Sequence, residues 1–313
     1  MVLPGLVLNA INVIIFARMG LADSTNISLL GLTLADIGVL LTMVGLCVLF
    51  NPLTLSAAPS MDIIDAINYI VLGTPLNIFS RISGLITGFI SLERLLCVAW
   101  PLHIKFLVTK QRTVLVVVGA YALMFTSGIP TFIAHPIGMR FNPVLNATVV
   151  GLVFSANTEE LENISVSANI AAQTASFVVV TVSTVFLTRS LHRSAQWRGA
   201  IHRQASKSSA RDKQLVKMVV LISATFIACS LPLVVVNAVM PFRNEFSFKG
   251  REKNVFMLTC GVFFALQSIN ASVNFFVYLA MSSKFKQNLY TLLGLEGNSS
   301  DSSKSRDALK TAI

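Results

Sequence analysis

Long apolar stretches separated by short polar segments dominate the chain. Seven of them hold enough apolar residues to cross the roughly 30 Å hydrocarbon core of a bilayer, which takes about 20 helical residues. We name them span one to span seven; they cover residues 2–16, 27–50, 67–97, 114–133, 166–191, 215–240 and 255–281. The pattern therefore predicts a protein that crosses a membrane seven times.

Helix is the expected conformation of every span, because lipid offers no hydrogen-bond partner to a bare backbone N–H or C=O. The sequence lacks the alternating segments of about ten residues that are typical of a membrane β-barrel. The composition agrees, with 54% apolar and 12% charged residues and a mean hydropathy of +0.73. We predict an all-α, seven-helix transmembrane domain over residues 1–294 and a disordered cytoplasmic tail at 295–313, which is rich in Ser and charged residues.

The distribution of positive charge predicts the orientation. The net charge is +10, and most of the 24 Lys and Arg residues fall on one side of the membrane. The loops on the other side hold only Arg140, Arg243, Lys249, Arg251 and Lys253. Because basic residues favour the cytoplasmic side, we expect a plasma-membrane protein with its N-terminus outside and its C-terminus inside. The basic segment 189–217 then contacts anionic lipid, and nucleic-acid binding is not needed to explain the charge.

Two glycosylation motifs agree with this orientation. Asn146-Ala-Thr and Asn163-Ile-Ser both lie between spans four and five, in a loop that is predicted to be outside. The four cysteines lie in or at the ends of spans, so we expect packing residues rather than disulfides. Span one begins within two residues of Met1, which predicts either a truncated N-terminus or a native start at a signal-anchor helix.

Asp36 is the clearest ionisable residue inside a span. Placing a charge there costs at least about 2.5 to 3.5 kcal/mol, so Asp36 must face the bundle interior. Its expected partners are Asn9, Ser83, Asn270 and Asn274, of which the last two share one helix face because they are four residues apart. Two interpretations stay open: the cluster holds a sodium ion or a proton, or these residues only satisfy one another as packing contacts. No other cofactor is expected.

Two arginines lie on span three, about 20 Å apart along the helix. Arg81 is too deep to reach the cytoplasm, so it either meets an anionic ligand group in an outer half-cavity or hydrogen-bonds backbone carbonyls and Asn77. Glu93 and Arg94 end the span, and taken alone they are typical of an arginine extending to the interface. Pro232 removes a backbone hydrogen bond and bends span six.

Taken together, the polar motifs resemble those of the rhodopsin-like class of G protein-coupled receptors. In chain order they are Asn9, Leu32-Thr33-Leu34-Ala35-Asp36, Glu93-Arg94-Leu95, Pro101-Leu102, Cys229-Ser230-Leu231-Pro232 with Phe226, and Asn274-Phe275-Phe276-Val277-Tyr278. Ser283-Lys284-Phe285-Lys286 then resembles the start of an amphipathic eighth helix. Within the class, Phe79-Ser80-Arg81-Ile82 and residues 26–32 look similar to candidate chemosensory receptors of gastropod molluscs.

Several positions depart from the family's pattern. Ser230 stands at the tryptophan of the sixth helix, Phe275 at the proline of the seventh, Leu95 at the aromatic residue of the triplet, and Tyr69 near the cysteine of the outer disulfide. That disulfide is therefore not expected. Ser268 stands where a retinal-binding receptor needs its lysine, and Leu76 where an amine receptor needs its aspartate, so neither ligand class is expected.

The resemblance implies a receptor rather than an enzyme. An extracellular ligand, chemosensory or peptide, would bind among spans three, five, six and seven, and span six would swing about Pro232 to admit a heterotrimeric G protein. The implied ligand pocket comprises Leu76, Asn77, Ser80, Arg81, Ser230 and Ser268. The implied switch comprises Glu93, Arg94, Pro101, Leu102, Asp212, Phe226, Pro232, Asn274 and Tyr278, with Arg94 held at rest by Glu93 and Asp212. The alternative is a transporter or channel that uses Asp36 and Arg81 as a substrate path.

Overall fold

The computed structural model describes residues 1–58, 60–100, 104, 108–143, 146–154, 157–200, 207–239 and 251–295, without the side chains of 193–200, 207–213, 253, 256 and 257. Within this part of the chain, seven helices are long and apolar enough to cross a membrane. Spans one to seven are the helical segments Val2–Met19, Ser24–Leu49, Met61–Ala99, Lys110–Ala134, Thr158–Ala200, Lys207–Val239 and Lys253–Met281. The predicted all-α, seven-span fold is confirmed.

Polar side chains cap the first turns of spans two and four. The Asp23 carboxylate accepts a hydrogen bond from the Thr25 backbone N–H at 3.1 Å and so caps span two. Thr109 caps span four by accepting from the Arg112 N–H at 3.4 Å. In the loop after span two, the short helix Pro52–Ala57 begins at Asn51, whose side chain accepts from the Leu53 N–H.

Span three begins six residues earlier than the hydropathy pattern predicts, and its outer part is irregular. The helix Met61–Ala66 continues through a π-helical turn, Ile67–Gly73, into the regular helix Thr74–Ala99. Pro75 has no N–H to donate to the preceding turn, which disturbs the regular hydrogen-bond pattern just before the helix resumes. A Cβ at Gly73 would lie 2.8 Å from the Asn68 carbonyl oxygen, so the turn has no room for a side chain there.

The loop expected between spans four and five contains a β-hairpin. Strand β1, Ile137–Asn142, pairs antiparallel with strand β2, Ala147–Leu152. Asn146 lies in the turn with φ at 48°, a left-handed conformation that asparagine tolerates well. Span five then begins at Thr158 rather than at residue 166. Two acidic residues in its first turn, Glu159 and Glu160, favour this early start because they face the positive end of the helix dipole.

Span three is the central helix of the bundle and packs against spans two, four, five and six. Small residues allow close approach: a Cβ at Gly38 would lie 2.5 Å from the Phe79 ring, and one at Gly31 would lie 2.6 Å from Val117. The eighth helix, Ser283–Leu292, is present as expected and is capped by the Ser282 hydroxyl. It buries Phe285 against the cytoplasmic half of the core.

Candidate functional sites

A polar cluster centred on Asp36 joins three spans in the middle of the bundle. The Asp36 side chain is buried and accepts from the Ser83 hydroxyl at 2.9 Å and from the Asn274 amide at 2.7 Å. These bonds use Oδ1 and Oδ2 respectively, so spans three and seven each hold one carboxylate oxygen of span two. The structure thus brings together Asp36, Ser83 and Asn274, as the sequence suggested.

The two other expected partners lie nearby but bond elsewhere. Asn9 donates to the carbonyl oxygens of Gly5 at 2.9 Å and Ala271 at 2.8 Å, so it ties span one to the backbone of span seven. Asn270 is buried, yet the hydrogen bonds described for Asp36 come from Ser83 and Asn274. The cluster is therefore smaller than the sequence suggested.

The chemistry of the Asp36 cluster suits a hard monovalent cation better than a transition metal. Asp36 and Ser83 supply the oxygen ligands that hard cations prefer. Asn274 presents its amide N–H to Asp36, so in this arrangement it acts as a donor rather than as an oxygen ligand. Among the described residues, no group of three or more His, Cys, Asp or Glu side chains could hold a metal ion.

At the end of span three that is predicted to be cytoplasmic, Arg94 is bonded to its neighbour Glu93 and to span two. Its Nη2 lies 3.0 Å from Glu93 Oε1 and also donates to the Thr25 hydroxyl. Ser24 donates to the same Glu93 oxygen at 3.1 Å. The expected pair with Glu93 is present, whereas the contact with span two was not foreseen. The Asp212 side chain and residues Pro101 and Leu102 lie outside the described residues.

Spans three and six are joined by contacts that sequence reasoning missed. The hydroxyl oxygens of Ser91 and Ser223 lie 2.7 Å apart, and both side chains are fully buried. One turn further along span six, the Phe226 ring lies against Gly84, where a Cβ would approach the ring to 3.2 Å. Pro232 lies within span six on the outer side of these contacts. The part of span six before Pro232 is therefore held to span three.

A cavity of about 310 Å³ lies at the end of the bundle that is predicted to be cytoplasmic, bordered by spans one, two, six and seven and the eighth helix. Its lining includes Asn26, Gln214, Tyr278 and Lys284. The Tyr278 ring is buried and packs edge-on against Phe16, with ring centres 5.2 Å apart. Tyr278, the last residue of the seventh-helix motif, thus lines this cavity.

In the outer half of the bundle, Arg81 is buried and donates to the Gln173 side-chain oxygen on span five. The expected alternative was that Arg81 bonds backbone carbonyls and Asn77; the described bond of Arg81 goes to Gln173, and Asn77 donates to the Gly73 carbonyl at 3.0 Å. The other expected pocket residues, Leu76, Ser80, Ser230 and Ser268, are all buried. The Ser268 hydroxyl is occupied by a bond to the Ala265 carbonyl at 2.8 Å.

Span three also contacts the end of span four and the start of span five through Tyr69. The Tyr69 hydroxyl lies 2.6 Å from Glu162 Oε1, and its ring packs edge-on against His135 at 5.0 Å between centres. His135 Nε2 in turn lies 3.6 Å from the same Glu162 oxygen. Tyr69, which stands near the family's disulfide position, therefore makes a noncovalent connection in that region. The glycosylation candidates Asn146 and Asn163 are exposed.

Seven spans surround a buried aspartate, and an arginine lies near the C-terminal end of span three. Residues 9–278 match the family model described as 7 transmembrane receptor (rhodopsin family). The chain belongs to that family, as its motifs suggested. The family is one of receptors, so the match gives no support to the transporter alternative.

Curated relatives narrow the comparison further. The chain is 29% identical over 222 residues to growth hormone secretagogue receptor type 1 of Mustela putorius furo and of Oryctolagus cuniculus, and 29% identical over 226 residues to that of Sus scrofa. The match takes in 66% of this chain and 56% of each relative, so the chain spans about half the length of these relatives. They are mammalian receptors, and the likeness to gastropod chemosensory receptors stays a prediction.

Proposed function

We propose that this chain is a plasma-membrane receptor, with its N-terminus outside, that binds an extracellular ligand and activates a heterotrimeric G protein. The observation that carries the proposal is the bonding of Arg94 to Glu93 and Thr25 beside the cytoplasmic cavity. Thr25 lines that cavity, so an arginine held by Thr25 and Glu93 becomes available to a partner there when those bonds break. Membership of the rhodopsin receptor family supports the same proposal.

Activation is a shift between two arrangements of span six. In the resting arrangement, Ser223 bonds Ser91 and the Phe226 ring covers Gly84. In the active arrangement, span six swings outward about Pro232, those contacts separate, and Arg94 leaves Thr25 to line the opened cleft. The ligand shifts the equilibrium towards the active arrangement by the difference between its binding free energies for the two arrangements. Asp212 at the start of span six is a further proposed contact of Arg94.

We infer that the ligand is a peptide. The support is the set of relatives, which are named for growth hormone secretagogues, and the family's aspartate for amines is replaced by the buried Leu76. A small chemosensory ligand is the other candidate, because Phe79-Ser80-Arg81-Ile82 resembles the gastropod receptors. In both cases the ligand binds in the outer half of the bundle, near Arg81. At 29% identity, we do not assign a growth hormone secretagogue as the ligand of this chain.

The test is nucleotide exchange on a panel of co-expressed G proteins without added ligand, at matched surface expression. Arg94→Ala should abolish exchange. Thr25→Ala should raise basal exchange roughly fivefold, because it removes a hydrogen bond that keeps Arg94 in its resting position and is worth about 1 kcal/mol. Asp212→Ala should raise it as well.

Thr25→Ser is the matched control, because it keeps the hydroxyl that Arg94 bonds and should behave like the original chain. Equal exchange in the original chain, Arg94→Ala and empty membranes would contradict G-protein coupling. A rise that Thr25→Ser shows equally would mean that the methyl group, rather than the hydroxyl, holds the resting state.

A further inference from the structure

Arg81 is a buried positive charge without a negative partner in the described part of the chain. Its side chain is 5% exposed, and no described carboxylate lies within 4.0 Å of the guanidinium. The one described side-chain partner is the neutral amide oxygen of Gln173. Burying a charge is costly unless it is paired, so this arrangement lowers the stability of the ligand-free bundle.

Donor groups around Arg81 are left unused. Arg81 Nε and the Gln173 amide nitrogen are buried without hydrogen-bond partners among the described residues, and so is the Ser80 hydroxyl. Gln173 is 2% exposed and Ser80 is 3% exposed, so water does not readily satisfy these groups. Arg81 thus keeps an unused N–H of its own, and Gln173, which it contacts, keeps an unused amide donor. That combination is what an anion-binding site needs.

The location of this donor set fits a ligand from outside. Arg81 lies about 20 Å from Arg94 along span three, on the side of the bundle that carries the β-hairpin. Span three and span five are packed directly against each other, and Arg81 and Gln173 join them. An anion that enters between these helices reaches donors from both and changes how they are held together.

We propose that Arg81, together with Gln173, binds a carboxylate group of the extracellular ligand. This inference rests on the proposed receptor function and specifies the chemistry of its ligand. A carboxylate carries one negative charge, which matches the single uncompensated charge of Arg81. Its planar pair of oxygens suits a guanidinium N–H together with a second donor, which the Gln173 amide supplies. A phosphate group carries more negative charge than this site can neutralise.

The test uses the purified receptor in nanodiscs without G protein, and its readout is the thermal unfolding midpoint. The probes are acetate, butyrate and benzoate, each compared with acetamide, butyramide or benzamide at the same ionic strength and chloride concentration. Inorganic phosphate is a fourth anion. The carboxylates should raise the midpoint by several degrees more than their amides, and phosphate should raise it less.

Arg81→Met separates a ligand site from a structural contact. Without any probe, this variant should unfold a few degrees higher than the original chain, because an unpaired buried charge is replaced by an apolar side chain. It should also lose the carboxylate response. Arg81→Lys should keep part of the response, because the charge remains but the planar donor pair is lost. Arg140→Met is the matched control and should keep the full response.

Equal shifts with carboxylates and amides would overturn the proposal, as would a carboxylate response that survives in Arg81→Met. An Arg81→Met variant that unfolds at a lower temperature or fails to fold would also overturn it, because Arg81 would then be a structural residue. An equal or larger shift with phosphate would contradict the carboxylate proposal and would indicate a ligand that bears a phosphate group. No G protein is involved, so a failure of coupling in nucleotide exchange is a separate result.

Discussion

Arg140 on strand β1 forms an ion pair with Asp62 at the outer end of span three. Asn142 on the same strand donates to the other Asp62 oxygen at 2.7 Å, so one carboxylate holds two positions of the hairpin. The Asp62 side chain is 9% exposed and the Arg140 side chain is 39% exposed. The hairpin is therefore attached to the helix that also carries Arg81 and Arg94, and its position is coupled to span three.

Asp62→Asn should loosen the hairpin. The lost ion pair is partly exposed and is worth about 1 kcal/mol or less, so local opening should become up to roughly fivefold more frequent. Trypsin cleavage after Arg140, followed by fragment size on intact cells, measures that opening. Asp65→Asn is the matched control, since Asp65 is exposed three residues further along the same helix. Equal cleavage of both variants would mean that the ion pair does not hold the hairpin.

Asp36→Asn should abolish stabilisation by sodium. The original chain should unfold a few degrees higher in sodium chloride than in choline chloride at equal ionic strength, because Asp36 and Ser83 present oxygens to a cation. Ser83→Ala should weaken the effect. Ser28→Ala is the control, since its buried hydroxyl bonds the Ser24 carbonyl of its own helix. If Asp36→Asn keeps the sodium shift, the cluster serves packing alone.

Ser223→Ala should raise basal nucleotide exchange by about two- to tenfold. It removes a buried hydrogen bond between spans three and six that is worth about 0.5 to 1.5 kcal/mol. Ser91 is not left without a bond, because its hydroxyl also donates to the Thr87 carbonyl at 2.8 Å. Thr225→Ala is the control on the same helix, where an exposed hydroxyl bonds the Leu221 carbonyl. Unchanged exchange at matched surface expression would mean that the bond between Ser91 and Ser223 has no part in activation.

Glycosylation tests the orientation. Asn146→Gln and Asn163→Gln should each remove one glycosidase-sensitive mass, because both asparagines are exposed in the region predicted to be outside. Asn26→Gln should change nothing, since Asn26 is buried near the predicted cytoplasmic side and donates to the Gly20 carbonyl. A glycan on Asn26 instead of Asn146 would mean that the predicted orientation is wrong.

The sequence was most informative where burial leaves a residue few choices. Asp36 has to find donors inside an apolar bundle, and two of its four expected partners, Ser83 and Asn274, bond it. The partner of Arg81 was not predictable in the same way. Apolar residues cover all sides of span five, so the periodicity of its sequence does not show whether Gln173 faces the bundle interior or the lipid. Gln173 lies 92 residues from Arg81, and its role required the packed helices.

The hairpin and the π-helical turn escaped prediction for a related reason. A two-stranded hairpin is marginal by itself, so its stability depends on Asp62, which is far away along the chain. The irregular turn before Thr74 depends on how Pro75 and Gly73 fit against the helix that precedes them. Neither leaves a hydropathy signal, whereas the seven spans do.

The connection of Tyr69 to Glu162 and His135 does not depend on thiol oxidation, and the four cysteines of the chain are all free. The hairpin region can therefore form in the same way in a reducing translation extract as in the secretory pathway. Production of this receptor directly into nanodiscs needs neither an oxidant nor a disulfide isomerase, and a thiol reagent can label the exposed Cys47 without opening the outer loop.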